Sequence, residues 1–181
     1  MNTALLIVDI QNDYFEGGRM TLEGALQASL NAKKILDDFR KKDLPVIHIR
    51  HIANRTDATF FLPDTKGSEI HNNVSPTENE KIIIKHFPNS FRETELLEYL
   101  NINKISDLVI CGMMTHMCID ATVRAAKDFG FNCTLISDAC ATKQLGIKEE
   151  AVKANDVHNA FLSSMNGFYA KVIKTKEFIL L

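Results

Sequence analysis

Six short, nearly unbroken apolar runs recur along this chain, at residues 4–8, 45–52, 82–84, 108–111, 133–136 and 171–173. Most are separated by stretches whose apolar residues repeat every three or four positions. A strand buried on both faces reads as a continuous apolar run, and a helix lying on a sheet reads as a stripe. The alternation therefore predicts an α/β fold with a parallel sheet between two layers of helices. Helices are predicted over 22–42 (Ala25, Ala28, Ala32, Ile35, Phe39), 119–129 up to Gly130, and 146–165 (Ile147, Ala151, Ala154, Val157, Phe161, Met165). Another follows Ser90-Phe91-Arg92-Glu93, which has capping-box form ahead of Leu96, Leu97 and Leu100. Residues 53–81 break the rhythm, being long, polar and marked by Pro63, Gly67 and Pro76. Such a segment is expected to be a lid or binding loop, or to hold a short helix.

At 181 residues the chain is predicted to form a single domain, 1–181, with enough apolar content (45%) to build a core without disulfides. Its 21 Lys and Arg against 23 Asp and Glu exclude a nucleic-acid binder that works by bulk charge. Arg40-Lys41-Lys42 reads as a helix end that complements the dipole. No run approaches the roughly 18 apolar residues of a membrane helix, so no membrane partner is expected. The first residues carry no basic region, and the cysteines (Cys111, Cys118, Cys133, Cys140) form no C-x-x-C pair. A cytoplasmic protein with free thiols is the expectation, Cys111, Cys133 and Cys140 being structural.

Parallel sheets bind ligands beyond the carboxyl ends of their strands. There the sequence places Asp9 after the first run, Lys85 after the third, and Gly112-Met113-Met114-Thr115-His116-Met117-Cys118 after the fourth. An acid, an amine and a thiol at one sheet edge suit acyl transfer. A helix N-terminus and an ammonium favour a thiolate, and a carboxylate can take and return the proton. The Met114 and Cys118 amides offer an oxyanion site. Each residue alone also has an ordinary structural explanation: a capping Asp, a strand-end Lys, a buried core Cys. Gln11, Tyr14, Met20, Phe87, Thr115, His116 and Met117 are expected around the substrate, with His86 a further candidate. Phe91 reads as core, and His71 and His158 as loop or helix-surface residues.

The segments Ala4-Leu5-Leu6-Ile7-Val8-Asp9-Ile10-Gln11-Asn12-Asp13-Tyr14, Lys85 and Gly112–Cys118 resemble the isochorismatase-like cysteine hydrolases over essentially the whole chain, with motif order preserved. The resemblance implies a Rossmann-like six-stranded parallel sheet in the order 3-2-1-4-5-6, and a dimer or larger oligomer such as a tetramer. It also implies a catalytic triad of Asp9, Lys85 and Cys118, and a non-proline cis peptide at Met113–Met114 beside the oxyanion. Cys118 separates the chain from true isochorismatases, which lack this nucleophile, and places it with the amidase-like members. Nicotinamidases of the superfamily carry a metal site with an Asp-x-His after strand two. Here the residues are His48-Ile49-Arg50-His51, and in a strand His48 and His51 face opposite ways. No metal and no cofactor are expected. The predicted activity is hydrolysis of a C–N bond in a small, non-peptide amide through a thioester. The alternatives are a vinyl-ether hydrolase, which would survive loss of Cys118, and a non-catalytic binding protein, which needs no reactive thiol.

Overall fold

A computed structural model describes residues 2–180. β1 (Thr3–Val8), α1 (Ala25–Lys41), β2 (Val46–His51) and β3 (Lys81–Lys85) open the chain. They are followed by α2 (Leu96–Ile102), β4 (Asp107–Met113), α3 (Asp120–Asp128) and β5 (Asn132–Ala141). A hairpin of β6 (Leu145–Ile147) and β7 (Glu150–Val152) precedes α4 (Ala154–Met165), β8 (Lys171–Ile173) and α5 (Thr175–Ile179). The main sheet runs β3-β2-β1-β4-β5-β8 with every pairing parallel, which is the order 3-2-1-4-5-6 among its six strands.

Alternation along β1 builds a core on each face. Ala4, Leu6 and Val8 pack with Leu96, Leu100, Ile119, Val123, Leu162 and Met165 from α2, α3, α4 and the turn before α3. Leu5 and Ile7 meet Ala28, Ala32, Ile35, Leu36 and Phe39 of α1. Burying each large aliphatic side chain contributes about 1.5–3 kcal/mol, so the central strand is anchored from both sides.

Several boundaries differ from the sequence reading. The helix expected over 146–165 is a hairpin followed by a shorter helix. Ile147 and Val152 are exposed in the hairpin, Lys148 turns it at φ +56°, and the stripe is buried only from Ala154 onward. The capping box at Ser90 does not form. Ser90 Oγ instead meets Thr122 Oγ1 at 2.8 Å, Glu93 turns through φ +55°, and α2 begins at Leu96. α1 starts at Ala25 because Gly24, at φ +74°, breaks the chain there. Arg40 clamps Glu80 at 2.7 Å and the Ser75 carbonyl at 2.8 Å, holding α1 to the end of the long polar segment. That segment, 53–81, holds two short 3₁₀ turns, Lys66–Ser68 and Asn72–Val74, before β3 begins at Lys81. Among the described residues, no helix is long and apolar enough to cross a membrane.

Candidate active site

Three strand ends converge. β1 ends at Val8, and Asp9 directly after it adopts φ +51°, a left-handed conformation that Asp tolerates better than most residues. β3 delivers Lys85, in register with His51 at the end of β2. Near the end of β4, Gly112 sits at φ +134°, where an added Cβ would lie 1.9 Å from the Val8 carbonyl oxygen, so only glycine lets β4 pass this close to β1. The cis peptide Met113–Met114 and a wide helical turn, Thr115–Ile119, then lead into α3. Cys118 lies in that turn, with Met117 N–H and Ile119 N–H both donating to the Met114 carbonyl.

Lys85 is the hub. Its Nζ lies 2.7 Å from Asp9 Oδ2 and donates toward Cys118 Sγ at 3.2 Å, His51 Nδ1 at 3.1 Å and the Phe87 carbonyl at 3.1 Å. An ammonium has three protons for these four acceptors. Asp9 and Lys85 are fully buried, and Cys118 is 5% exposed. Burial works to lower the Lys85 pKa, but the Asp9 carboxylate and the Cys118 sulfur outweigh it and hold the group above its ordinary value. The ammonium is therefore retained.

The thiol behaves otherwise than the sequence reading expects. Burial first, then the Asp9 carboxylate, push Cys118 up to about 12, and Lys85 opposes them only in part. The resting site thus holds a neutral thiol. Asp9 Oδ1 is buried without a hydrogen-bond partner among the described residues, leaving a carboxylate oxygen open to accept a proton.

His51 completes the cluster. Burial, helped by the Lys85 ammonium and opposed by Asp9, brings it down to about 4. A neutral imidazole that accepts from Lys85 at Nδ1 carries its proton on Nε2. Asp9, His51 and Cys118 each place one potential ligand atom within 4.8 Å of the others. They do not suit a metal ion, because the Lys85 ammonium already sits among them and a second cation would meet its charge. His48 faces away, bonded to Glu80 at 3.0 Å.

A cavity of about 310 Å³ borders this cluster through His51 and Met114, with Asp9, Lys85 and Cys118 themselves outside its lining. Of the residues expected around a substrate, Met20, Phe87 and Met117 line it, as do His86 and Met114. Gln11, Tyr14, Thr115 and His116 do not, and each has another task. The Gln11 amide donates to the carbonyls of His51 (2.8 Å) and Ser68 (2.9 Å) and accepts from His51 N–H (2.7 Å). Asn12 donates to the Lys66 carbonyl at 2.9 Å. Asp13 accepts from Phe61 N–H at 2.6 Å and Arg19 N–H at 3.1 Å. The polar triplet after Ile10 is thus a strap that binds segment 53–81 over the sheet edge. Tyr14 is buried against Phe61, ring centroids 4.7 Å apart. His116 Nδ1 bonds Thr142 Oγ1. Thr115 Oγ1 meets the Ala141 carbonyl at 3.2 Å and His158 Nδ1 at 2.9 Å, so His158 is a half-buried partner of the turn and not a surface residue. His71, in its loop, stacks on Phe15 at 3.7 Å. Segment 53–81, expected as a lid or binding loop, supplies Ala53, Phe60 and Phe61 to the lining, while sequence reasoning missed His51 and Lys143 as cavity residues. For His51 a signal existed: it ends β2 as Lys85 ends β3.

The isochorismatase domain model matches residues 3–177. The uncharacterized isochorismatase family protein YddQ of Bacillus subtilis is 49% identical over 179 residues, covering 99% of each chain. A crystal structure from Oleispira antarctica, assigned to the isochorismatase hydrolases, superposes with a TM-score of 0.96 at 44% identity, covering 99% of this chain and 96% of that one. A streptothricin hydrolase of Streptomyces noursei is 30% identical over 139 residues, which is 77% of this chain and 49% of that protein. The chain belongs to the isochorismatase family of hydrolases.

Proposed function

We infer that the chain is a cysteine amidohydrolase acting on the C–N bond of a small, non-peptide amide. The observation that carries this reading is the buried Lys85 ammonium touching both Asp9 (2.7 Å) and Cys118 (3.2 Å), beside the His51 that lines the cavity. A base, a nucleophile and a fixed positive charge then stand within one residue's reach of each other. The hydrolase name of the Streptomyces noursei relative is consistent with it.

In this mechanism substrate enters past Phe60 and Phe87, and Asp9 takes the Cys118 proton as the sulfur attacks the carbonyl. Because the resting thiol is neutral, proton transfer accompanies attack and does not precede it. The Met114 and Cys118 N–H groups face the oxyanion. Lys85 keeps the Asp9 carboxylate aligned and offsets charge on sulfur. Asp9 returns the proton to the leaving nitrogen, and the amine departs. Asp9 then deprotonates water, which attacks the thioester; the acid leaves and Cys118 regains its proton.

The test is ammonia release from a panel of small primary amides by the wild type, Cys118→Ala and Asp9→Asn. The reading expects both variants to lose turnover by about a thousandfold or more, as groups acting as one unit do. Turnover unaffected by Cys118→Ala overturns it.

A further inference from the structure

The charges lining the cavity do not balance. Walls from Met20, Phe60, Phe61, Phe87, Met114 and Met117 are apolar. The one acid among the lining residues, Asp57, is paired with Arg55 at 3.2 Å, both well exposed at the outer rim. Lys143 is different. It follows β5, is half-buried, and among the described residues its Nζ has one hydrogen-bond partner, the Met20 sulfur at 3.4 Å. Among the described residues it makes no ion pair. His51 offers its Nε2–H to the lining, and His86, whose Nδ1 donates to the Ile52 carbonyl at 2.7 Å, adds no negative charge. The cavity thus has largely apolar walls, borders the catalytic cluster through His51 and Met114, and carries an unspent cation in its lining.

We propose that Lys143 binds a carboxylate on the substrate, so that the chain selects amides whose apolar body carries an anionic group away from the scissile bond. This rests on the amidohydrolase reading and adds the substrate's charge to it. A neutral amide would leave the ammonium partly desolvated with no acceptor, whereas a carboxylate gives it a charge-assisted hydrogen bond. The apolar walls favour a flat or compact body between the two polar ends. Held at both ends, such a substrate keeps its carbonyl near Cys118, a gain in positioning that a neutral analogue lacks.

The experiment uses 4-carbamoylbenzoate and its neutral methyl ester, titrated calorimetrically into the full chain carrying Cys118→Ala, which binds without turnover. The proposal expects the anion to bind about tenfold tighter or more at low salt, the size of one charge-assisted contact. Lys143→Met should abolish the difference, Lys143→Arg should keep most of it, and added salt should shrink it. Equal affinity for the two ligands, a difference that survives Lys143→Met, or binding of neither ligand overturns the proposal. Hydrolysis by the wild type separates the two claims. Turnover of both amides at equal kcat/KM leaves the amidohydrolase standing and removes the role of Lys143. Tight, Lys143-dependent binding with no turnover and no acylation of Cys118 does the reverse.

Discussion

Lys85 Nζ and Asp9 Oδ2 form a 2.7 Å ion pair in which neither side chain is exposed to solvent, with the Cys118 sulfur 3.2 Å from the same ammonium. Removing one member leaves the other as an uncompensated buried charge, which costs about 3–5 kcal/mol, while replacing both with neutral groups of similar volume costs much less. Lys85→Met and Asp9→Asn are each predicted to lower unfolding free energy by that amount. The double variant should recover most of the loss. Urea denaturation of the four proteins checks this, and strictly additive losses would contradict it.

A thiol pushed up to about 12 is almost entirely protonated at neutral pH. Iodoacetamide should therefore modify Cys118 slowly near pH 7, with a rate that still climbs beyond pH 10. Asp9 is one of the groups that raise the thiol, so Asp9→Asn is predicted to move the rate profile to lower pH. Mass spectrometry of the Cys118 peptide against pH reads both effects, and a plateau near pH 7 in the wild type would refute them.

His51 titrates near 4 in the folded chain and near 6.5 when unfolded. The unfolded state binds the proton more readily, so the stability tied to neutral His51 is fully present above about pH 6.5 and lost as pH falls toward 4. Once protonated, Nδ1 can no longer accept from Lys85. The thermal midpoint of His51→Gln should fall less than that of the wild type between pH 7 and pH 4. Parallel curves would show that His51 is not held neutral by its surroundings.

Gly112 sits at φ +134° with no room for a Cβ beside the Val8 carbonyl. Gly112→Ala must separate β4 from β1 where they deliver Cys118 and Asp9. A loss of about 1–3 kcal/mol in stability is expected, with hydrolysis falling further than stability alone explains. Denaturation together with the amide assay measures the two effects.

The sheet strands were legible because burial on both faces leaves continuous apolar runs, as in β1 and β4. The hairpin was not, since Ile147 and Ala151 keep the helical spacing of Ala154 and Val157 while facing solvent. Asp9, Lys85 and Cys118 could be read at strand ends because a parallel sheet brings those ends to one edge. The brace formed by Gln11 could not, because its partner carbonyls lie 40 and 57 residues away and are backbone groups that no side-chain pattern announces. The protonation of Cys118 was misjudged for a related reason. Local sequence shows the helix and the lysine, whereas burial is a property of the whole fold.

The most direct test of the account is rapid quenching of the wild-type chain with a hydrolysed amide, followed by intact-mass and peptide analysis. The account predicts a transient adduct of acyl mass confined to Cys118, absent from Cys118→Ala, and slower to form in Asp9→Asn. Hydrolysis that proceeds with no adduct on Cys118 and persists in Cys118→Ala would contradict it.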